Sequence, residues 1–208
     1  MKSLGEATTA LRKRLGESLS TIHKFDVPIE EVTTPSLEAL KELSVGRKVQ
    51  QVKGNAAAIP YFNRAIELRE HVSEREKFRV SAYYFHLVTG EIEKAIDVYE
   101  LWAQAYPRDN VPRSNLSVTY GYLGQYEKAI AEIQEALRLN PESAVGYTNL
   151  VSHYAALNRT ADAKDIYRQA VERKLENPYF HLNRYAVAFL ENDAGEMQRQ
   201  IDWAAGKV

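Results

Sequence analysis

The sequence predicts an all-α protein built from stacked helical hairpins. Three observations carry that expectation: a 34-residue internal period, apolar spacing of helical rather than strand type within each period, and small residues at fixed places in it. Residues 110–143 and 144–177 align without a gap, pairing Asn115 with Asn149, Leu116 with Leu150, Tyr120 with Tyr154, Ala129 with Ala163, Ile133 with Tyr167 and Ala136 with Ala170. One period earlier, Ala82, Tyr83, Gly90, Ala95, Tyr99 and Pro107 stand 34 residues before Leu116, Ser117, Gly124, Ala129, Ile133 and Pro141. One period later, Arg184, Tyr185, Asn192, Met197, Ile201 and Ala204 stand 34 residues after Leu150, Val151, Asn158, Ala163, Tyr167 and Ala170.

From the start of the chain, residues 2–24 read as one amphipathic stretch within an N-terminal segment 1–25. Leu4, Ala7, Leu11, Leu15, Leu19 and Ile22 share a face, and Arg12, Lys13 and Arg14 lie beside it as a solvated patch. Residues 26–35 have two prolines and several β-branched residues and read as an extended linker, with Thr34 and Pro35 forming a helix N-cap and first-turn pair. The rest, residues 36–208, reads as an array of about five repeats: 39–72, 76–109, 110–143, 144–177 and 178–208. In the first copy Val45 and Gly46 begin the pattern, and Ala58, Phe62 and Ala65 supply its second helix. Ala58 precedes Ala95 by 37 residues, so three extra residues within REHVSEREK predict a longer turn between repeats or a helix extended by about one turn.

Each copy predicts two helices. Leu116, Tyr120 and Leu123 recur at helical spacing on the first, and Ala129, Ile130, Ile133, Ala136 and Leu137 do so on the second. Small residues at Ala95, Ala129 and Ala163 let paired helices approach, and the large residue four positions on fills space against the next hairpin. Gly90, Gly124, Asn158 and Asn192 stand where a left-handed residue would end the first helix. The period, the A-x3-aromatic element and the closing Leu139-Asn140-Pro141 resemble the tetratricopeptide repeat, which implies a right-handed superhelix of hairpins.

Composition narrows the function. Hydrophobic residues make up 45% and charged residues 26%, as in an ordinary folded protein. With 27 basic against 28 acidic side chains the net charge is -1, which leaves no surplus to neutralise a phosphate backbone and argues against nucleic acid as a partner. No apolar run approaches the roughly 18 to 20 residues that span a bilayer, so no membrane insertion is expected. The opening residues are too polar for a signal peptide. With no cysteine, thiol and thiolate-metal chemistry are absent. His23, His71, His86, His153 and His181 are dispersed, with no HExxH pattern, and neither a G-x-S-x-G turn nor a Walker lysine occurs. The reading is therefore a non-enzyme with no catalytic or metal residues and no cofactor.

Several strings go beyond the generic repeat: RLGESL, KFDVPIEEVTTPSLEAL, VSEREKF, TGEIEKAIDVYELWAQAYPRD and IDWAAGK. Together they resemble the C-terminal repeat region of acidobacterial serine/threonine protein kinases and related repeat-bearing transcriptional regulators. The resemblance covers nearly all of the chain. It implies a sensory or interaction region that accompanies a catalytic or DNA-binding domain upstream. No Gly-rich loop, VAIK-like lysine, HRD or DFG is present, so kinase activity does not carry over. The resemblance also implies a further 34-residue repeat between segments like YFNRAIEL and REHVSEREK, which here run together, so that a repeat has been lost or the sequence cut down.

The expected function is binding of a protein or peptide on the concave face, lined by the first helices. Asn115, Asn149 and Asn183 recur there at 34-residue intervals, and amides that donate and accept suit a peptide backbone, with inter-repeat hydrogen bonding as the rival role. Tyr84, Tyr122 and Tyr179 are candidate aromatic contacts. The positions that would form a carboxylate clamp hold Val80, Val111, Ser114, Val145 and Thr148, which argues against capture of a peptide C-terminus. The edge from Met197 to Trp203 lacks the polar character of a capping helix and is a candidate homodimer surface. The expected setting is soluble: cytoplasmic for a free-standing chain, extracytoplasmic for a piece of a membrane-anchored kinase.

Overall fold

The computed structural model describes residues 35–206, and the amphipathic stretch 2–24 and nearly all of the linker lie outside them. Among the described residues there are ten α-helices and no strand, an all-helical repeat fold. They fall into two compact units that divide after Gly90.

In the first unit, α1 (Pro35–Lys53) and α2 (Asn55–Glu67) form an antiparallel hairpin closed by Gly54 at φ 85°. Ala58, Phe62 and Ala65 are the buried stripe of α2. Phe62 presses against α1 at Gly46, where a Cβ would come within 2.9 Å of the ring, so only glycine permits this approach. A 3-10 turn, Arg69–His71, then occupies the stretch that carries the three extra residues. Ser73 opens α3 (Glu74–Tyr84) with a reciprocal capping box to Glu76, which satisfies backbone donors at the helix start. A π-helical turn, Phe85–Thr89, leads to Gly90 at φ 71°. Tyr83 is held from α1 by Arg47, whose Nη1 donates to the phenol oxygen at 3.0 Å.

The second unit begins with α4 (Ile92–Ala105) and continues as three hairpins: α5 (Asn110–Tyr122) with α6 (Tyr126–Leu139), α7 (Ala144–Ala156) with α8 (Thr160–Glu172), and α9 (Pro178–Leu190) with α10 (Ala194–Ala204). Asp109, Ser143 and Asn177 cap α5, α7 and α9, each side chain accepting from a backbone N–H in the first turn. Within each hairpin the first helix ends on a left-handed residue, Gly124, Asn158 or Asn192, at φ 70°, 55° and 58°. The next residue's N–H then reaches back across the turn, as Gln125 N does to Tyr120 O at 2.9 Å, satisfying an otherwise orphaned carbonyl. Lys174 adopts the same conformation at φ 59° after α8, a turn that the sequence pattern does not single out.

Core residues follow the repeat. Ala95, Ala129 and Ala163 are fully buried, as are Ala170, Ile133, Trp102 and Phe180. One continuous cluster joins Ile130, Ile133, Leu150, Val151, Tyr154, Phe180 and Val187, so each hairpin buries its apolar side on the next. Burying a side chain such as Leu150 contributes about 1.5 to 3 kcal/mol, which is how hairpins that could not fold singly hold together.

Candidate functional site

The first helices of the second unit carry almost no charge. Across α5, α7 and α9 the only Lys, Arg, Asp or Glu residues are Arg113 and Arg184. Both turn toward neighbouring second helices: Arg113 Nη1 lies 3.0 Å from Glu132 on α6, and Arg184 pairs with Glu196 on α10 and donates to Tyr167 on α8. The outward stripes of these three helices are left to polar amides, hydroxyls and exposed apolar side chains. Tyr122 is 74% exposed, Tyr179 68%, Val145 66% and Leu182 64%. The second helices carry the charge instead, as in the exposed pairs Arg138–Glu135 and Arg168–Asp165.

On this frame Asn115 and Tyr122 share one face of α5, seven residues apart, and Tyr179 and Asn183 share one face of α9, four apart. The three asparagines are half-buried and differ in their contacts. Asn183 Nδ2 donates to the Thr148 carbonyl at 2.9 Å, tying α9 to α7. The Asn115 amide nitrogen is buried without a hydrogen-bond partner among the described residues. Tyr84 belongs to the first unit, half-buried and edge-on to Phe85 at 6.0 Å. Val145 escaped the sequence reading as an apolar contact, although the 34-residue register places it where Tyr179 stands in the next repeat.

A second surface lies on α9 and α10, where Leu182, Tyr185, Ile201 and Trp203 line one apolar depression with His181. Trp203 stacks on the His181 ring at 3.5 Å, and His181 Nδ1 donates to Gln200 Oε1 at 2.9 Å. Nearby, Glu196 gathers Arg184, Arg199 and Gln200. Burial opposes its charge, but hydrogen bonds from Arg199 and Gln200 and the adjacent guanidiniums outweigh that and hold its carboxyl below the usual carboxylate range.

Among the described residues no group of three or more histidines and carboxylates is placed to hold a metal ion. No described helix is long and apolar enough to cross a membrane.

Residues 123–184 match the tetratricopeptide repeat family model. Among solved structures, the chain is similar to a thermophilic tetratricopeptide repeat protein of Thermus thermophilus, at 23% identity and TM-score 0.63, over 81% of this chain and 89% of that one. It is also similar to PilW, a type IV pilus biogenesis factor, at 16% identity and TM-score 0.61, over 78% of this chain and 74% of that one. A tetratricopeptide repeat protein of Parabacteroides merdae is 14% identical with TM-score 0.56 over 80% of this chain, which spans 65% of its length. These likenesses establish the repeat fold, and the tetratricopeptide reading of the hairpins stands on them together with the family match.

Proposed function

We propose that this chain is a protein-protein interaction scaffold whose first-helix face binds a peptide segment of a partner. The observation that carries this reading is the near absence of charge from α5, α7 and α9, combined with exposed Tyr122, Val145, Tyr179 and Leu182 on them. Such a face loses little on desolvation and offers rigid aromatic contacts beside amides that can meet a backbone. Binding should therefore rest on apolar contact and hydrogen bonds, and affinity should fall only slightly between low and physiological salt. The test is a peptide-display selection against the chain, with hits re-measured on a Val145→Ser, Tyr179→Ser double variant. Loss of binding with an unchanged melting temperature supports the reading, and binding that survives the double variant sinks it.

The resemblance of several strings to the repeat region of acidobacterial serine/threonine kinases and related regulators supports a more specific setting, in which the array is the regulatory or sensory region accompanying an upstream domain. The α9–α10 depression supports self-association through that edge, checked by light scattering across concentration.

A further inference from the structure

The second unit repeats one joint three times, and the third copy lacks its ring. Between α4 and α5, buried Tyr120 donates its hydroxyl to Glu100 Oε1 at 2.9 Å, and Lys128 Nζ lies 5.3 Å from the ring centre. Between α6 and α7, buried Tyr154 accepts from Gln134 Nε2 at 3.1 Å, and the Arg159 guanidinium lies 4.6 Å from its ring. Tyr120 and Tyr154 are one period apart, and so are Glu100 and Gln134. The next period puts Ala188 at the tyrosine position on α9 and Arg168 at the partner position on α8. His153, beside Tyr154, becomes Val187 beside Ala188.

The space left by the missing ring is present in the structure. A cleft of about 230 Å³ opens between α8 and α9, with Val151, Ala163, Val187 and Ala188 among its apolar lining and Lys164, Glu191 and Arg184 among its polar one. Roughly 150 Å³ suffices to admit a benzene ring into an apolar cavity. Polar contacts border the cleft: Lys164 Nζ lies 2.9 Å from Glu191, and Arg184 is tied to Glu196 and Tyr167.

We propose that this cleft is a binding site for a para-hydroxyphenyl ring, the side chain of a tyrosine presented by a partner protein. The two sibling joints identify the occupant, because the same backbone frame already holds a phenol at this position twice. Polarity agrees. Arg168, one period after Gln134, replaces an amide donor by a charged one; it stands outside the cleft's lining and pairs with Asp165 at 2.6 Å, so its contact with a bound phenol requires that exposed pair to open. This site lies on the seam between hairpins and is independent of the first-helix face proposed above, so either can fail without the other.

The test uses the full chain and 4-methylphenol as probe, with toluene as the ring lacking the hydroxyl, followed by NMR. Saturable shifts confined to Ala163, Val187 and Ala188 are expected, with 4-methylphenol bound about five-fold tighter than toluene, the worth of one hydrogen bond. Ala188→Tyr, which copies Tyr154, should raise the melting temperature and abolish probe binding, and Ala188→Leu provides a second filling variant should the tyrosine not be accommodated. Arg168→Ala should remove the preference for the phenol without lowering the melting temperature. Absence of saturable shifts, equal affinity for toluene, or binding that survives filling of the cleft by either variant would overturn the assignment.

Discussion

The seam between α6 and α7 and the seam between α8 and α9 share one backbone frame and use opposite means to hold it. The first is packed solid. Tyr154 and His153 fill it, the buried Ser117 hydroxyl meets His153 Nε2 at 2.9 Å, and Gly121 leaves room for the imidazole. In the second, the corresponding residues are Ala188, Val187, Val151 and Ala155; Phe180 packs edge-on to Tyr167 at one end, and beside the cleft the contacts that cross are polar, Lys164–Glu191 and Arg184 to the Tyr167 hydroxyl. Repetition of a fold therefore fixes where hairpins meet but not how firmly. A partly exposed ion pair contributes at most about 1 kcal/mol, whereas filling a joint with a ring contributes several times that. The second seam should be the softer of the two.

The largest expected effect breaks the packed seam. Tyr154→Ala removes a buried ring and should cost about 3 to 5 kcal/mol, measured by urea denaturation. Adding the ring at Ala188 should instead stabilise. If both changes move stability in the same direction, the two seams are not equivalent frames.

A smaller effect comes from the floor of the packed seam. A Cβ on Gly121 would lie 2.7 Å from His153 Cε1, so Gly121→Ala should cost about 1 to 3 kcal/mol despite the better helix propensity of alanine. At the equivalent place the other seam already carries Ala155, and Ala155→Gly should cost only the roughly 0.5 to 1 kcal/mol of glycine in a helix.

His153 adds a pH dependence confined to the packed seam. Burial lowers its pKa, so the unfolded chain takes up the proton first as pH falls below the ordinary histidine value of about 6.5. Stability should thus be unaffected by this group at higher pH and should decline from about pH 6.5 downward. His86, in the first unit, is shifted the same way by burial and contributes in the same sense. The acid-side decline in melting temperature should shrink in His153→Gln relative to the parent chain. An undiminished decline would locate the titration elsewhere.

Much of this architecture is legible in the residues themselves. The 34-residue register located Ala129, Ala163, Leu116 and Leu150 in the core, and the turn positions Gly90, Gly124, Asn158 and Asn192 all carry positive φ. Those features are local or periodic, so a linear reading finds them. The open seam was not legible in the same way. Ala188 looks like any small helical residue until three-dimensional neighbours show that its period-mates are rings. The first-helix face was half legible: tyrosines and asparagines stood out as residue types, but the outward turn of Val145 and Leu182 and the inward turn of both arginines depend on which sides the second helices cover. Asn183 illustrates the limit, since its hydrogen bond to Thr148 O joins residues 35 apart in sequence on two different helices.

That bond sets the smallest and most discriminating comparison. Asn149 and Asn183 occupy the same repeat position, yet only Asn183 ties its helix to the preceding first helix among the described residues. Asn183→Ala removes one neutral hydrogen bond and leaves the Thr148 carbonyl without that donor, so it should lower stability by about 0.5 to 1.5 kcal/mol. Asn149→Ala has no such bond to lose and should leave the melting temperature nearly unchanged. If the first-helix face binds a peptide, the order reverses for affinity: Asn149→Ala should weaken binding by about 0.5 to 3 kcal/mol where its amide meets the partner away from water, and Asn183→Ala should weaken it less per folded molecule. Measuring both quantities on both variants separates a strut from a contact. A melting temperature that falls for Asn149→Ala, with affinity intact, would make both asparagines struts and leave Tyr122, Val145, Tyr179 and Leu182 to carry recognition on that face.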